Sequence, residues 1–94
     1  MNNVNIIGRL VKEPKGKELS IAVPRPFKNE DGVYETDFFT VLLSDNIAEK
    51  VAEYLRKGDL VAIKGRLQST ENKIEIVTEK ISFLSGKQKE SEGE

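Results

Sequence analysis

Residues 34–57 read YETDFFTVLLSDNIAEKVAEYLRK, and inside this stretch the hydrophobic period changes once. From about Tyr34 to Leu43 the β-branched and aromatic residues follow a strand pattern, in which successive side chains take opposite faces. From Asp45 to Lys57, Ile47, Ala48, Val51, Ala52 and Leu55 fall on one stripe, while Glu49 and Glu53 face away. That is an amphipathic helix of about three turns. Ser44 or Asp45 can serve as its N-cap, and Gly58 stands where a left-handed C-cap is wanted.

On both sides of this switch the chain reads as strand. Val4 to Val11 is rich in β-branched and apolar residues and breaks at Glu13, Pro14 and Gly16, which gives strand one. Leu19, Ile21 and Val23 alternate with Ser20 and Ala22 until Pro24 and Pro26, so strand two is expected from Lys17 to Pro24. Phe27 to Gly32 is then a polar connection closing on Asp31-Gly32, the signature of a hairpin into strand three. Beyond the helix, Val61, Ile63, Gly65 and Leu67 alternate with Ala62, Lys64, Arg66 and Gln68 in strand four, and Ser69 to Lys73 is a short turn. Strand five changes parity, with Ile74 and Ile76 on one face and Ile81 and Phe83 on the other. A bulge is therefore expected between Val77 and Lys80. The tail from Gly86 to Glu94 has no apolar residue and is expected to be disordered, leaving residues 1–85 as one domain.

The resulting fold class is all-β with one helix. Three strands, a helix and two strands match a five-stranded Greek-key barrel of the oligonucleotide/oligosaccharide-binding type (OB-fold), with the helix between strands three and four. Such barrels host many functions, so side chains must decide among them.

Composition removes most chemistry. The 94 residues contain no His, Cys or Trp, so imidazole bases, thiol nucleophiles and zinc thiolate sites are excluded. The acids fall in turns, on the helix and on solvated strand faces without a metal-ligand cluster, so neither an enzyme nor a cofactor or metal is expected. No stretch resembles a signal peptide or a membrane span, and a cytoplasmic location is expected.

A net charge of −1 argues weakly against a polyanion partner, but the charges are unevenly spread. Residues 1–28 hold six cations, Arg9, Lys12, Lys15, Lys17, Arg25 and Lys28, against two acids. Residues 29–59 hold three cations against eight acids. The first third can thus present a positive face. Lys64 and Arg66 on the polar side of strand four extend the candidate set for phosphate contact.

Two aromatic residues complete that candidate surface. Phe38 and Phe39 are adjacent, so only one can enter the core. Phe39 goes with Val41 and Leu43, which leaves Phe38 outside with Thr36 and Thr40. Phe27 lies in Pro24-Arg25-Pro26-Phe27-Lys28, flanked by cations and stiffened by prolines. An exposed ring beside cations suits base stacking with phosphate contact. Each ring has a plainer use: Phe38 could be covered by a loop or a second subunit, and Phe27 could plug the barrel end.

These same stretches resemble bacterial single-stranded DNA-binding proteins. The likeness rests on Asn5 to Leu10 with its Gly8-Arg9-Leu10, Ala22 to Lys28, Thr36-Asp37-Phe38, Ala48 to Gly58, and Lys64-Gly65-Arg66-Leu67-Gln68, in order over about residues 3–84. It implies a barrel, usually tetrameric, that coats unpaired DNA in replication, recombination and repair. It also implies stacking at Phe27 and Phe38 and a strand contact from Lys57. The chain departs from the family pattern at Ser44, where many members carry an aromatic, and in its short connection between strands four and five. Its ending lacks an acidic tip with a terminal aromatic, which makes recruitment of enzymes unexpected. The partner is thus expected to be single-stranded DNA, bound by a homo-oligomer, a tetramer or alternatively a dimer. Strand one, apolar on both parities, would supply a subunit edge. The alternative function is a replication or primosome accessory acting mainly through protein contacts.

Overall fold

The structure is a computed structural model and describes residues 1–84; the tail expected from Gly86 onward lies outside the described residues. Five strands and one helix follow in the order β1 (Val4–Leu10), β2 (Glu18–Lys28), β3 (Tyr34–Leu42), α1 (Asp45–Tyr54), β4 (Leu60–Thr70) and β5 (Lys73–Phe83). The strands close into a barrel in the order β1-β2-β3-β5-β4, antiparallel except where β3 meets β5 at Val41 and Leu42. The all-β barrel with one helix between the third and fourth strands is the architecture the periodicity implies.

One face of each strand supplies the core. Leu10, Leu19, Ile21, Val41, Leu43, Val61 and Ile63 are buried in the barrel, and Val51 of α1 with Leu55 just after it closes it from one end. Burying one such side chain contributes about 1.5–3 kcal/mol, so this cluster is the main source of stability. The helix buries Val51 and packs Ile47 and Ala48 against the core, whereas Ala52 of the expected stripe is exposed, and Tyr54 meets Phe83 of β5 with ring centroids 6.1 Å apart.

Helix α1 is shorter than its pattern. Ser44 is the N-cap, accepting the Ile47 N–H at 3.4 Å, but the helix ends at Tyr54, and Leu55 is already extended. The reason lies in the next four residues. Asp59 accepts the Arg56 N–H at 2.9 Å, Gly58 takes φ +94°, and Leu10 exchanges hydrogen bonds with Gly58 and Asp59. Residues 56–59 are therefore a tight turn that continues the edge of β1. Gly58 serves that turn, four residues past the end of the helix.

Strand β2 is longer than expected, because neither proline ends it. Pro24 pairs with Thr36 and Lys28 pairs with Tyr34, so Arg25, Pro26 and Phe27 together oppose Glu35. This is a bulge of two extra residues. Pro26 sits within it, where no ladder donor is needed, which is how a strand tolerates the residue. Phe27 and Lys28 therefore belong to the strand, and the connection shrinks to Asn29–Val33. There the Asn29 side chain accepts the N–H groups of Asp31 and Val33.

The second bulge falls where the parity change in β5 requires it. Lys64 pairs with Lys80 but Gly65 pairs with Thr78, leaving Glu79 unopposed. A β-carbon on Gly65 would overlap the Val77 carbonyl oxygen, so the close approach at this bend needs glycine. The hairpin then closes on Glu71 and Asn72, both at positive φ (45° and 70°), the type I′ geometry of a two-residue turn.

Candidate nucleic-acid interface

The outer face of β2 and β3 is read from the register. Ser20 lies opposite Thr40, Ala22 opposite Phe38, Pro24 opposite Thr36 and Lys28 opposite Tyr34. Paired residues share a face, so Phe38, Thr36 and Tyr34 point outward together. Phe38 is 69% exposed, whereas Phe39 packs against the core, which is the separation that strand parity predicts. The ladder partner of Phe38 is the small Ala22, and next to Ala22 across the ladder is Arg9 of β1. Arg9, Ala22 and Phe38 thus form one row across three strands, with the outer two backbones about 10 Å apart. Phe27 is 62% exposed within the bulge.

Cations flank this face at both ends. Near Ser20, the β1–β2 connection brings Lys12 and Lys15 around one open depression together with Glu13 and Glu18. The turn after α1 reaches the same place, for the Lys57 N–H donates to Glu13 Oε2 at 3.1 Å. At the hairpin end, the Lys28 ammonium lies 5.7 Å from the centroid of the Tyr34 ring. The Arg9 guanidinium donates to the Gly58 carbonyl at 3.0 Å, which fixes it beside Lys57.

Arg25 is differently engaged. Its Nε and Nη2 donate to the Asp37 carboxylate at 2.9–3.2 Å, and its Nη1 donates to Glu35 Oε1 at 2.9 Å. Glu35 is held in turn by Asn29 Nδ2 at 2.9 Å. The hydrogen bonds from Arg25 hold the Asp37 carboxyl below the usual carboxylate range, partial loss of hydration works against this, and the attraction between the charges adds to the lowering. The same hydrogen bonds to Asp37, with the charges of Asp37 and Glu35, raise the Arg25 pKa. Both acids have the parity of Phe39, opposite to Phe38, and Arg25 bonds to them on that side. One cation and two anions leave this cluster net negative.

The described residues form one family pattern from end to end: the single-strand binding protein family matches residues 1–84. The chain belongs to that family. It is 36% identical to single-stranded DNA-binding protein 3 of Listeria innocua, over 94% of this chain and 66% of that protein. It is 35% identical to single-stranded DNA-binding protein 1 of Clostridium acetobutylicum, over 93% of this chain and 96% of that one. The chain thus spans about two thirds of the Listeria relative and nearly all of the Clostridium one. Among solved structures, the Plasmodium falciparum single-strand binding protein in complex with single-stranded DNA superimposes with a TM-score of 0.70 at 23% identity, covering 90% of this chain and 96% of that one. The mitochondrial single-stranded DNA-binding protein of S. cerevisiae gives 0.69 at 21%, covering 92% and 97%. At these identities the structural likeness concerns the barrel.

Within this family member, the candidate residues divide into groups. Phe38, Arg9, Lys12, Lys15 and Lys57 surround the outer β2–β3 face, with Phe27 and Lys28 at its hairpin end. Lys17 sits at the start of α1, paired with Asp45 at 2.7 Å. Lys64 and Arg66 project from β4, whose ladder partners are β1 and β5. Lys64 lies opposite Asn5 and Lys80, and Arg66 is 3.8 Å from Glu79. Strand β4 thus adjoins β1, the strand that carries Arg9, and stands outside the β2–β3 face itself. Tyr34 was absent from the candidate set; its signal in the sequence is its spacing of four from Phe38, which puts both rings on one face. Among the described residues no group of three or more acids is placed to hold a metal ion.

Proposed function

We propose that this chain binds and protects single-stranded DNA without sequence preference, as part of replication, recombination and repair. The observation that carries the reading is the exposed Phe38 on an outer strand face, with the small Ala22 as its ladder partner and cations on its borders. Phe38 and Phe27 stack bases, while Arg9, Lys12, Lys15, Lys28 and Lys57 neutralise phosphates. Arg25 is left out of the phosphate set, because its donors already serve two carboxylates. Its part is to brace the bulge that presents Phe27. The chain acts by binding and carries out no catalysis, and a cytoplasmic setting suits a cysteine-free chain.

Self-association belongs to the same proposal. β1 pairs with β2 only at Arg9 and Leu10, while Val4 to Arg9 pair with β4, so most of the opposite edge of β1 has no ladder partner among the described residues. Pairing with the same edge of a second copy would use it. Mass by light scattering tests this, and a monomer at micromolar concentration overturns it.

A titration of fluorescent oligothymidine over a salt series tests strand binding. The expected result is tight binding at low salt that weakens as salt rises. Absence of binding at low salt overturns the reading. Phe38→Ala is expected to cost about 1–3 kcal/mol of affinity, the range that stacking contributes in single-strand binding proteins generally.

The exposed Leu67 and Ile74 on the β4–β5 hairpin favour a second reading, an accessory that works mainly through protein contacts. Partner capture that survives Phe38→Ala would support it.

A further inference from the structure

We propose that Tyr34 is a third base-stacking platform, paired with Lys28 as a ring-and-cation unit at the hairpin end of the strand track. The inference rests on the strand-binding reading above and extends it to a residue outside the expected site.

Tyr34 opens β3 and is 55% exposed. It shares the outer face with Thr36 and Phe38, and its hydroxyl meets no partner among the described residues. A ring that neither fills the core nor satisfies a polar neighbour is free for a ligand. Lys28 is the residue directly opposite, with its ammonium 5.7 Å from the ring centroid, inside the range of cation–π attraction. An ammonium covers one face at most, and a ring 55% exposed still offers surface to a planar base. The same ammonium then stands where the adjoining phosphate would pass.

The spacing suits an extended strand. Four residues of β-strand separate Tyr34 from Phe38, about 13 Å. That is too far for the rings to sandwich one base, so each takes its own. The arrangement also repeats: Phe38 lies in one row with Arg9, Tyr34 in one row with Lys28. Each ring has a cation in its own row, and an unpaired strand presents a flat base and a phosphate at every step. Ser44 is committed to capping α1 and offers no ring. Tyr34 restores a third aromatic at the opposite end of β3.

The test uses the whole chain, oligothymidine and three variants. Tyr34→Thr keeps a strand-forming residue and removes the ring. It should weaken binding about 5- to 150-fold with an unchanged salt slope, whereas Tyr34→Phe should stay within about twofold of the parent. Lys28→Gln should lower the salt slope by about 0.7, the share of one phosphate contact on a single strand. Equal affinity of Tyr34→Thr and the parent, while Phe38→Ala loses affinity, overturns the Tyr34 platform and leaves strand binding intact. Failure of the parent to bind at low salt overturns both. Photocrosslinking of the unaltered chain to bromodeoxyuridine-substituted oligothymidine is independent of any variant's folding. A crosslink at Tyr34 is expected, and crosslinks at Phe38 with none at Tyr34 refute the platform.

Discussion

Two hairpins leave this barrel, and both bend at a bulge, but they hold the bend by opposite means. In β2–β3 the two extra residues opposite Glu35 are held by charge, through Arg25 bonded to Asp37 and Glu35 and Asn29 bonded to Glu35. In β4–β5 the extra Glu79 is accommodated by the lack of a side chain at Gly65. The first hairpin carries Phe27, Tyr34 and Lys28 on an exposed surface; the second carries the aliphatic Leu67 and Ile74 and a two-residue turn. A bend held by side-chain charges can be retuned by solution conditions. A bend held by excluded volume cannot.

The largest effect should come from Gly65→Ala. The new methyl group meets backbone rather than a yielding side chain, and a loss of about 3 kcal/mol in unfolding experiments is expected. A neutral result would mean that the β4–β5 bend is as adjustable as the other. Next, Phe27→Ala should weaken oligothymidine binding by about 1–3 kcal/mol while Ile74→Ala leaves affinity unchanged. Comparable losses in both would erase the functional contrast between the hairpins. Glu71→Asn should raise stability by about 0.5 kcal/mol, because Asn tolerates the left-handed backbone of the tight turn better than Glu. Thermal unfolding measures this.

The smallest effect is one of pH. Because Arg25 depresses the Asp37 pKa, the ion pair contributes fully above the ordinary carboxylate value near about pH 4, and fades only as pH falls through the lowered value. Amide exchange in the β2–β3 hairpin, corrected for its intrinsic pH dependence, should therefore show constant protection between about pH 5 and 8. Protection lost already within that window would show that the carboxylate pair does not brace this bend.

Several of these features could be read directly from residue types. The parity change between Ile76 and Ile81 located the β5 bulge, and the adjacency of Phe38 and Phe39 separated core from surface. These readings worked because they depend on one strand at a time. The length of β2 did not yield to the same reasoning: Pro24 and Pro26 look like terminators until the bulge that shelters Pro26 is known. The partners of Arg25 were hidden for the same reason. They lie ten and twelve residues away across a hairpin, and a two-residue bulge redirects which side chains meet. Helix α1 looked three residues longer because Leu55 continues its stripe, while the turn that stops it is fixed by contact with Leu10. That Lys64 and Arg66 stand beyond β1, outside the β2–β3 face, follows from β4 lying beside β1, a neighbourhood set by barrel closure.

The acidic pair on β3 also bears on how a charged polymer would travel over the molecule. Glu35 and Asp37 alternate with Thr36 and Phe38, so one strand separates a net-negative cluster from the exposed ring. A polyanion on the outer face gains nothing by slipping around the strand toward its other side. Travel along β2 and β3 stays open, while escape past the part of β3 that carries Glu35 and Asp37 is opposed.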